Sequence, residues 1–114
     1  MEVYDYTGEG FKVLMSFEEW RVAILRYNER FSNFTELERH LLSDEAFVLL
    51  EGSATLYENE MPYEMEKNKL YNIPKGVWHH ITVSPDASVL VIENSNISKD
   101  NSERRSLLKG EMVS

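Results

Sequence analysis

The chain has 114 residues, no cysteine, and a formal net charge of −8 from 20 acidic and 12 basic residues. That length fits one domain, and an apolar fraction of 42% argues against disorder. The acidic balance argues against nucleic acid and anionic membranes as partners, and the lack of cysteine excludes disulfides. The N-terminus has no basic start or apolar segment of a secretory signal, and no apolar run approaches a membrane span. We therefore expect a soluble cytoplasmic protein.

Short apolar segments separated by turn residues predict about eight β-strands and little helix. Residues 11–15 are predicted to form an edge strand, and residues 20–27 a strand covered on both sides. Residues 34–40 place Glu36, Glu38 and His40 on one face of a strand and leucines on the other. That polar face either meets solvent or lines a polar cavity inside a barrel.

The strand predicted over residues 45–50 begins with Glu45 and continues into apolar residues, which is typical of a buried strand. A carboxylate at the start of such a strand must be paired, hydrogen-bonded or metal-bound, because burying a bare charge is too costly. Gly52 is predicted to lie in a hairpin turn that leads to a strand over residues 54–58. Further strands are predicted over residues 70–73, 78–83 and 88–93.

The strand over residues 78–83 carries two adjacent histidines. Alternation places His79 on one face with Ile81 and Val83, and His80 on the other, where we expect a surface or interface position. Three tyrosines are weaker candidates for the mouth of a pocket: Tyr27, Tyr57 and Tyr71. A polar tail follows from residue 95, in which residues 102–109 predict a short helix that Leu107 and Leu108 dock and Gly110 ends.

Residues 32–52 resemble the first sequence motif of the cupin superfamily, which spaces a glycine, two histidines, a glutamate and a closing glycine. His40, Glu45 and Gly52 match the last three intervals of that motif. Glu38 stands at the position of the first histidine, and Ser32 at that of the first glycine.

Residues 68–83 resemble the second cupin motif, which begins with a glycine and ends with a histidine and an asparagine. Pro74, Gly76 and His79 match this motif at the expected spacing. Asn68 replaces its glycine and Val83 its asparagine. The combined spacing of the two motifs is specific, although any one matching residue alone would be a weak signal.

The resemblance implies an all-β fold, a small cupin double-stranded β-helix or jelly-roll barrel with its core over about residues 20–94. In cupins that match both motifs, these positions bind one divalent metal ion. The resemblance therefore implies His40, Glu45 and His79 as metal ligands, with Glu38 as a fourth ligand. Two carboxylates beside two histidines favour zinc, manganese, iron or nickel over copper.

Two functions are compatible with these residues. The first is a metal-dependent small-molecule enzyme of oxygenase, isomerase or epimerase type, in which Glu38 or Glu45 transfers protons when it is not engaged as a ligand. The second is a non-catalytic module that binds a carbohydrate or carboxylate without needing a metal. In that case His40 and His79 are hydrogen-bonded pocket residues, and Glu38 is an exposed acid or forms a salt bridge with Arg39 or Arg26.

The strands over residues 47–50 and 89–92 are apolar on both faces. A small barrel buries only one face of each strand, so the second face must be covered by another part of the chain or by another subunit. We therefore expect a homodimer formed by sheet packing.

Overall fold

A computed structural model describes residues 1–107 of the chain. These residues form ten strands and two short 3-10 helices, Glu29–Phe31 and Lys99–Asn101. In chain order the strands are β1 (Phe11–Phe17), β2 (Trp20–Arg26), β3 (Glu36–His40), β4 (Glu45–Glu51), β5 (Ala54–Glu58), β6 (Met61–Glu64), β7 (Leu70–Ile73), β8 (His79–Val83), β9 (Ser88–Asn94) and β10 (Ser102–Ser106). Within residues 1–107, no helix has the length and apolar character that crossing a membrane requires.

The strands form two five-stranded antiparallel sheets. The first has the order β1-β2-β9-β4-β7, and the second the order β10-β3-β8-β5-β6. Strands that follow one another in the chain often lie in different sheets, which is the connectivity of a jelly roll. The predicted all-β jelly-roll barrel is therefore confirmed, and residues 11–15 form part of an edge strand as predicted.

The interior of the barrel changes from polar at one end to apolar at the other. Inward positions follow this order on four strands: Arg21 to Leu25 on β2, Glu45 to Leu49 on β4, His79 to Val83 on β8, and Glu93 to Val89 on β9. The apolar end is a continuous core in which Val89 and Val91 are fully buried. Burial of this apolar surface stabilises the packing of the two sheets. The polar end of the barrel is therefore not needed for the core and is available for a binding site.

The turn at Gly52 connects the two sheets, so the predicted hairpin is wrong. β4 pairs with β9 and β7, whereas β5 pairs with β8 and β6. Gly52 has a φ of +72°, and a Cβ built on it would lie 2.6 Å from Cα of Ala87. The sharp passage between sheets therefore requires glycine, both for its backbone angle and for the space it leaves.

Residues 102–106 form strand β10, so the predicted helix is wrong in this segment. β10 pairs with β3 along its whole length, from Ser102 opposite His40 to Ser106 opposite Glu36. Pairing satisfies the open edge of β3, and the outward side chain of Arg105 lies over the Trp78 ring, 4.9 Å from its centroid. Leu107 donates its amide to the carbonyl of Thr35 instead of docking a helix. Residues 108–110 lie outside the described part of the chain.

Strand β6 was not predicted, because the segment of residues 61–64 is only four residues long, includes a proline and directly follows a turn. Pro62 is compatible with a strand here because β6 lies at the edge of its sheet. With β1 and β10, the two sheets extend on both sides of the predicted core of residues 20–94.

Candidate metal centre

Three of the four predicted metal ligands form a compact group at the polar end of the barrel. One ligand atom each from Glu38, His40 and His79 lies within 4.8 Å of the other two. Glu38 and His40 come from alternate positions of β3, and the β3–β8 register sets Glu38 directly opposite His79. The polar face of β3 therefore turns into the barrel instead of facing solvent.

Glu45, the fourth predicted ligand, joins the two histidines. Its Oε1 lies 3.2 Å from Nε2 of His40 and 3.0 Å from Nε2 of His79. Oε1 of Glu38 is 4.0 Å from Nε2 of His40. Donor atoms that share one ion at about 2.0–2.2 Å lie roughly 3–4 Å from each other. The spacing and the nitrogen and oxygen donors therefore suit a divalent metal such as zinc, manganese or iron.

In His40 and His79, the ring nitrogen that points away from the cluster, Nδ1, contacts a second partner. Nδ1 of His79 lies 3.0 Å from the carbonyl oxygen of Val77, and Nδ1 of His40 lies 2.8 Å from Oγ of Ser102. Because a carbonyl only accepts, Nδ1 of His79 carries a proton and Nε2 faces the cluster. Such outer partners fix the orientation of a ligating histidine. Sequence reasoning missed Ser102, since β10 itself was not predicted.

Burial and mutual contacts shift the acidity of the cluster. Burial alone would raise the pKa of Glu45, but hydrogen bonds from His40 and His79 outweigh it and hold that pKa far below its usual range. For His79, burial would lower the pKa, yet the Glu45 carboxylate beside it produces a net rise. Glu45 is therefore ionised at neutral pH, as a ligand or proton acceptor must be.

Glu93 is a fifth member of this polar end that sequence reasoning missed. It stands directly opposite Glu45 in the β4–β9 register and is hydrogen-bonded to it. Burial, followed by this neighbouring carboxylate, raises the pKa of Glu93 to about 8, although Arg21 opposes the shift with Nε 2.6 Å from Oε2 of Glu93. The alternation of Val89, Val91 and Glu93 along β9 was the available signal, because it places this acid on the buried face.

The Glu45–Glu93 pair makes folding stability depend on pH. The pKa of Glu93 is raised from 4.5 to about 8, so its proton-linked stabilisation is complete below about pH 4.5 and is lost as the pH rises through about 8. Glu93→Gln keeps an amide that donates to Glu45 and an oxygen that accepts from Arg21, but it cannot ionise. Thermal unfolding with chelator present measures the melting temperatures of both proteins. Relative to the wild type, the melting temperature of the variant should rise by about 5 °C between about pH 5 and about pH 9.

An exposed acid provides the control for this comparison. Glu103 pairs with Arg39 on the outside of the barrel, so Glu103→Gln should leave the pH profile parallel to that of the wild type. Parallel profiles for Glu93→Gln as well would show that Glu93 is already ionised at neutral pH.

Glu38 forms salt bridges, but with different arginines from those predicted. Nη2 of Arg30 lies 3.0 Å from its Oε1, and Nε of Arg104 lies 3.7 Å from its Oε2. Arg39 instead pairs with Glu103, and Arg26 donates to the carbonyl of Gly8. The difference arises because Arg39 points to the opposite face of β3 from Glu38.

His80 lies on the opposite face of β8 from His79, as alternation predicts, but its expected surface position is wrong. Its exposed fraction is 3%. Its ring stacks with Phe31 and Phe34 at centroid distances of 6.3 and 6.0 Å, and its Nε2 lies 3.1 Å from the carbonyl oxygen of Asn33. This burial lowers the pKa of His80. The segment before β3 covers this face, which strand alternation alone does not reveal.

The histidine–carboxylate cluster opens into a cavity of about 590 Å³. Its lining includes Glu38, His40, Glu45, His79, Glu93 and an apolar wall to which Phe11, Leu25, Phe47 and Ile97 contribute. This volume is in the range of small-molecule sites. The three candidate tyrosines are not among the residues that line it: Tyr57 stacks on Phe34 at 3.8 Å, and Tyr71 lines a separate, smaller cavity with Leu56 and Ile73.

The two sheets form a jelly-roll barrel whose fold matches that of solved cupin structures. A cupin-2 domain protein from Shewanella frigidimarina matches with a TM-score of 0.65 and 19% identity, over 78% of this chain and 84% of that chain. An RmlC-like cupin with a double-stranded β-helix fold from Methanocaldococcus jannaschii matches with a TM-score of 0.63 and 15% identity, over 82% and 90%.

A third structure matches over almost the whole length. Streptomyces Pac13, a variant solved with uridine, has a TM-score of 0.70 and 13% identity over 97% of each chain. Pac13 is described as a nucleoside dehydratase. No family model and no curated protein sequence matches the chain. The likenesses confirm that the chain has the cupin fold.

Proposed function

We propose that this protein holds one divalent metal ion in its barrel and acts on a small metabolite there. The observation that carries the proposal is the group formed by Glu38, His40 and His79, whose ligand atoms lie within 4.8 Å of one another on the wall of the cavity. Glu45 contacts both histidines and completes a set of two histidines and two carboxylates. Zinc, manganese, iron and nickel are the candidates for such a set.

A bound ion would polarise a substrate oxygen or activate water. The chain's own residues would supply binding and proton transfer. Glu38 lies at the cavity wall and is placed to accept a proton when it does not ligate the ion. The lowered pKa of Glu45 makes that buried carboxylate the weaker base of the two and suits it better to the role of ligand. The likeness to a nucleoside dehydratase supports small-molecule chemistry in a barrel of this shape, as an analogy of fold.

One observation favours the alternative, a non-catalytic module that binds a carbohydrate or carboxylate. His40, Glu45 and His79 already satisfy one another by hydrogen bonds, so a pocket with these residues is complete without an ion. Metal analysis of protein purified without an affinity tag, after growth in metal-replete medium, separates the two. About one ion per chain supports the metal site, and an absent ion supports the alternative.

We also propose that two copies of the chain associate through the outer face of the first sheet. The outward positions in the middle of its three central strands are apolar: Val22 and Ile24 on β2, Leu90 and Ile92 on β9, and Ala46 and Val48 on β4. A two-fold axis through this patch would bury its apolar side chains against each other, with Arg26 at the end of β2 beside the patch.

Light scattering coupled to size-exclusion chromatography tests this association. We expect a dimer at micromolar concentration for the wild type and a monomer for Ile92→Glu, which places a charge in the patch. Leu42→Glu is the matched control, because Leu42 is exposed in the loop between β3 and β4. A monomeric wild type would refute the dimer.

A further inference from the structure

The cavity is richer in basic side chains than the rest of the chain. Four basic residues line it, Arg21, Arg30, Lys99 and Arg104, against three acidic ones, Glu38, Glu45 and Glu93. The whole chain has the opposite balance, 12 basic residues against 20 acidic. A third of all basic side chains therefore gather around one cavity of an acidic protein, which is a pattern expected of an anion-binding site.

The acids and the bases of the cavity lie at different depths. Glu45 and Glu93 are buried, with exposed fractions of 7% and 5%. Arg104 keeps 59% of its side chain exposed, and Lys99 is exposed. A ligand that enters the cavity therefore meets the cations first, before it reaches the carboxylates at the base.

The cations at the mouth retain hydrogen-bonding capacity. Within residues 1–107, Lys99 forms no ion pair, and the contact of Arg104 to Glu38 is long, at 3.7 Å. Arg30 is more fully engaged, because its Nε lies 3.5 Å from Oε2 of Glu36 and its Nη2 lies 3.0 Å from Oε1 of Glu38. Arginine offers five donors in a planar fork that fits a carboxylate or a phosphate.

The fold holds two of these cations in place. Lys99 lies in the 3-10 helix whose start is fixed by reciprocal hydrogen bonds between Ser98 and Asn101. Arg104 follows on β10, where pairing sets it directly opposite Glu38. The apolar wall of the cavity, which includes Phe11 and Ile97, lies beside them. The arrangement would accept a molecule with one anionic end and one apolar part.

We propose that this cavity binds a small organic anion, a carboxylate or a phosphate monoester with an apolar portion, and that Lys99 and Arg104 hold its charged group. The proposal rests on the proposed function, since it names the class of molecule that would reach the histidine–carboxylate cluster. It applies equally to the catalytic and the non-catalytic alternative.

Calorimetric titration tests the proposal with benzoate as the carboxylate probe, phenyl phosphate as the phosphate probe and benzyl alcohol as the uncharged control. Each titration is made on chelated protein and on protein loaded with zinc. We expect at least one anion to bind and the alcohol to bind at least about tenfold more weakly, because charge-assisted hydrogen bonds are lost. The Lys99→Gln, Arg104→Gln double variant should lose about tenfold or more in affinity for that anion.

Arg105→Gln is the matched control, because Arg105 neighbours Arg104 on β10 but lies over Trp78 outside the barrel. Its anion affinity should equal that of the wild type. An equal loss in Arg105→Gln, equal binding of benzyl alcohol, or no binding of either anion would each overturn the proposal. Zinc binding is read in the same samples, so a chain that binds zinc but no anion fails only this inference, and a chain that binds the anion but no zinc fails only the metal site.

Discussion

Replacing His40 and His79 together by alanine should abolish divalent-metal binding. Both residues offer Nε2 to the same cluster, and the pair supplies both nitrogen donors of the four-residue set. Outer partners of a ligand are already worth about 10- to 100-fold in affinity, so we expect the loss of both ligands to exceed about 1,000-fold. Equilibrium dialysis with zinc and manganese, read by elemental mass spectrometry, measures the change.

Two further variants provide an intermediate case and a control for the loss of metal affinity. Ser102→Ala removes the hydroxyl that holds Nδ1 of His40, and we expect an intermediate loss of about 10- to 100-fold. His80→Gln is the matched control, since it removes the third histidine of the chain, which also lines the cavity but directs Nε2 to the carbonyl of Asn33 and not to the cluster. Far-ultraviolet circular dichroism checks that each variant keeps its strands. Metal binding that survives in the double variant, or that falls equally in His80→Gln, would contradict the site.

Gly52→Ala should destabilise the fold more than an alanine at the other glycine of the two cupin-like motifs. Gly52 has a φ of +72°, and the added Cβ would meet Cα and N of Ala87 at 2.6 and 2.8 Å. Both contacts are with backbone, which cannot turn aside as a side chain can. Left-handed strain and overpacking together should lower the free energy of unfolding by about 3 kcal/mol or more.

Gly76→Ala is the matched comparison for this prediction. Gly76 has a similar φ of +82°, yet a Cβ built there has no neighbour within 4 Å. Gly76→Ala should therefore lower the free energy of unfolding through backbone strain alone, by about 1–2 kcal/mol. Urea unfolding followed by circular dichroism gives both values. Equal losses in the free energy of unfolding would show that the backbone at Ala87 can move away from the added Cβ without destabilising the fold.

The fold and the main cluster were predictable because they depend on local patterns. Alternating apolar residues and turn residues located most of the strands, and the spacing of His40, Glu45 and His79 placed them at corresponding positions of three strands. The departure at Glu38 was also visible in the sequence. Its side chain lies at the cluster, so a carboxylate occupies the place that a histidine has in the full motif.

The missing parts of the prediction depend on contacts between distant segments. β10 has no apolar alternation, and it is a strand because it pairs with the open edge of β3. Glu93 becomes part of the site only through its register with Glu45, and His80 is buried only because the segment before β3 folds over it. Neither the strand register nor the packing between these segments can be predicted from one segment of the sequence alone.

The late position of β10 bears on how the protein is made. His40 leaves the ribosome about 60 residues before its partner Ser102, at synthesis rates of about 5–20 residues per second. For several seconds the nascent chain therefore carries its first motif with the edge of β3 unpaired. The proposed metal site gains the Ser102 contact to His40 only with the closing strand, so metal binding that depends on this contact would follow translation of residues 102–106.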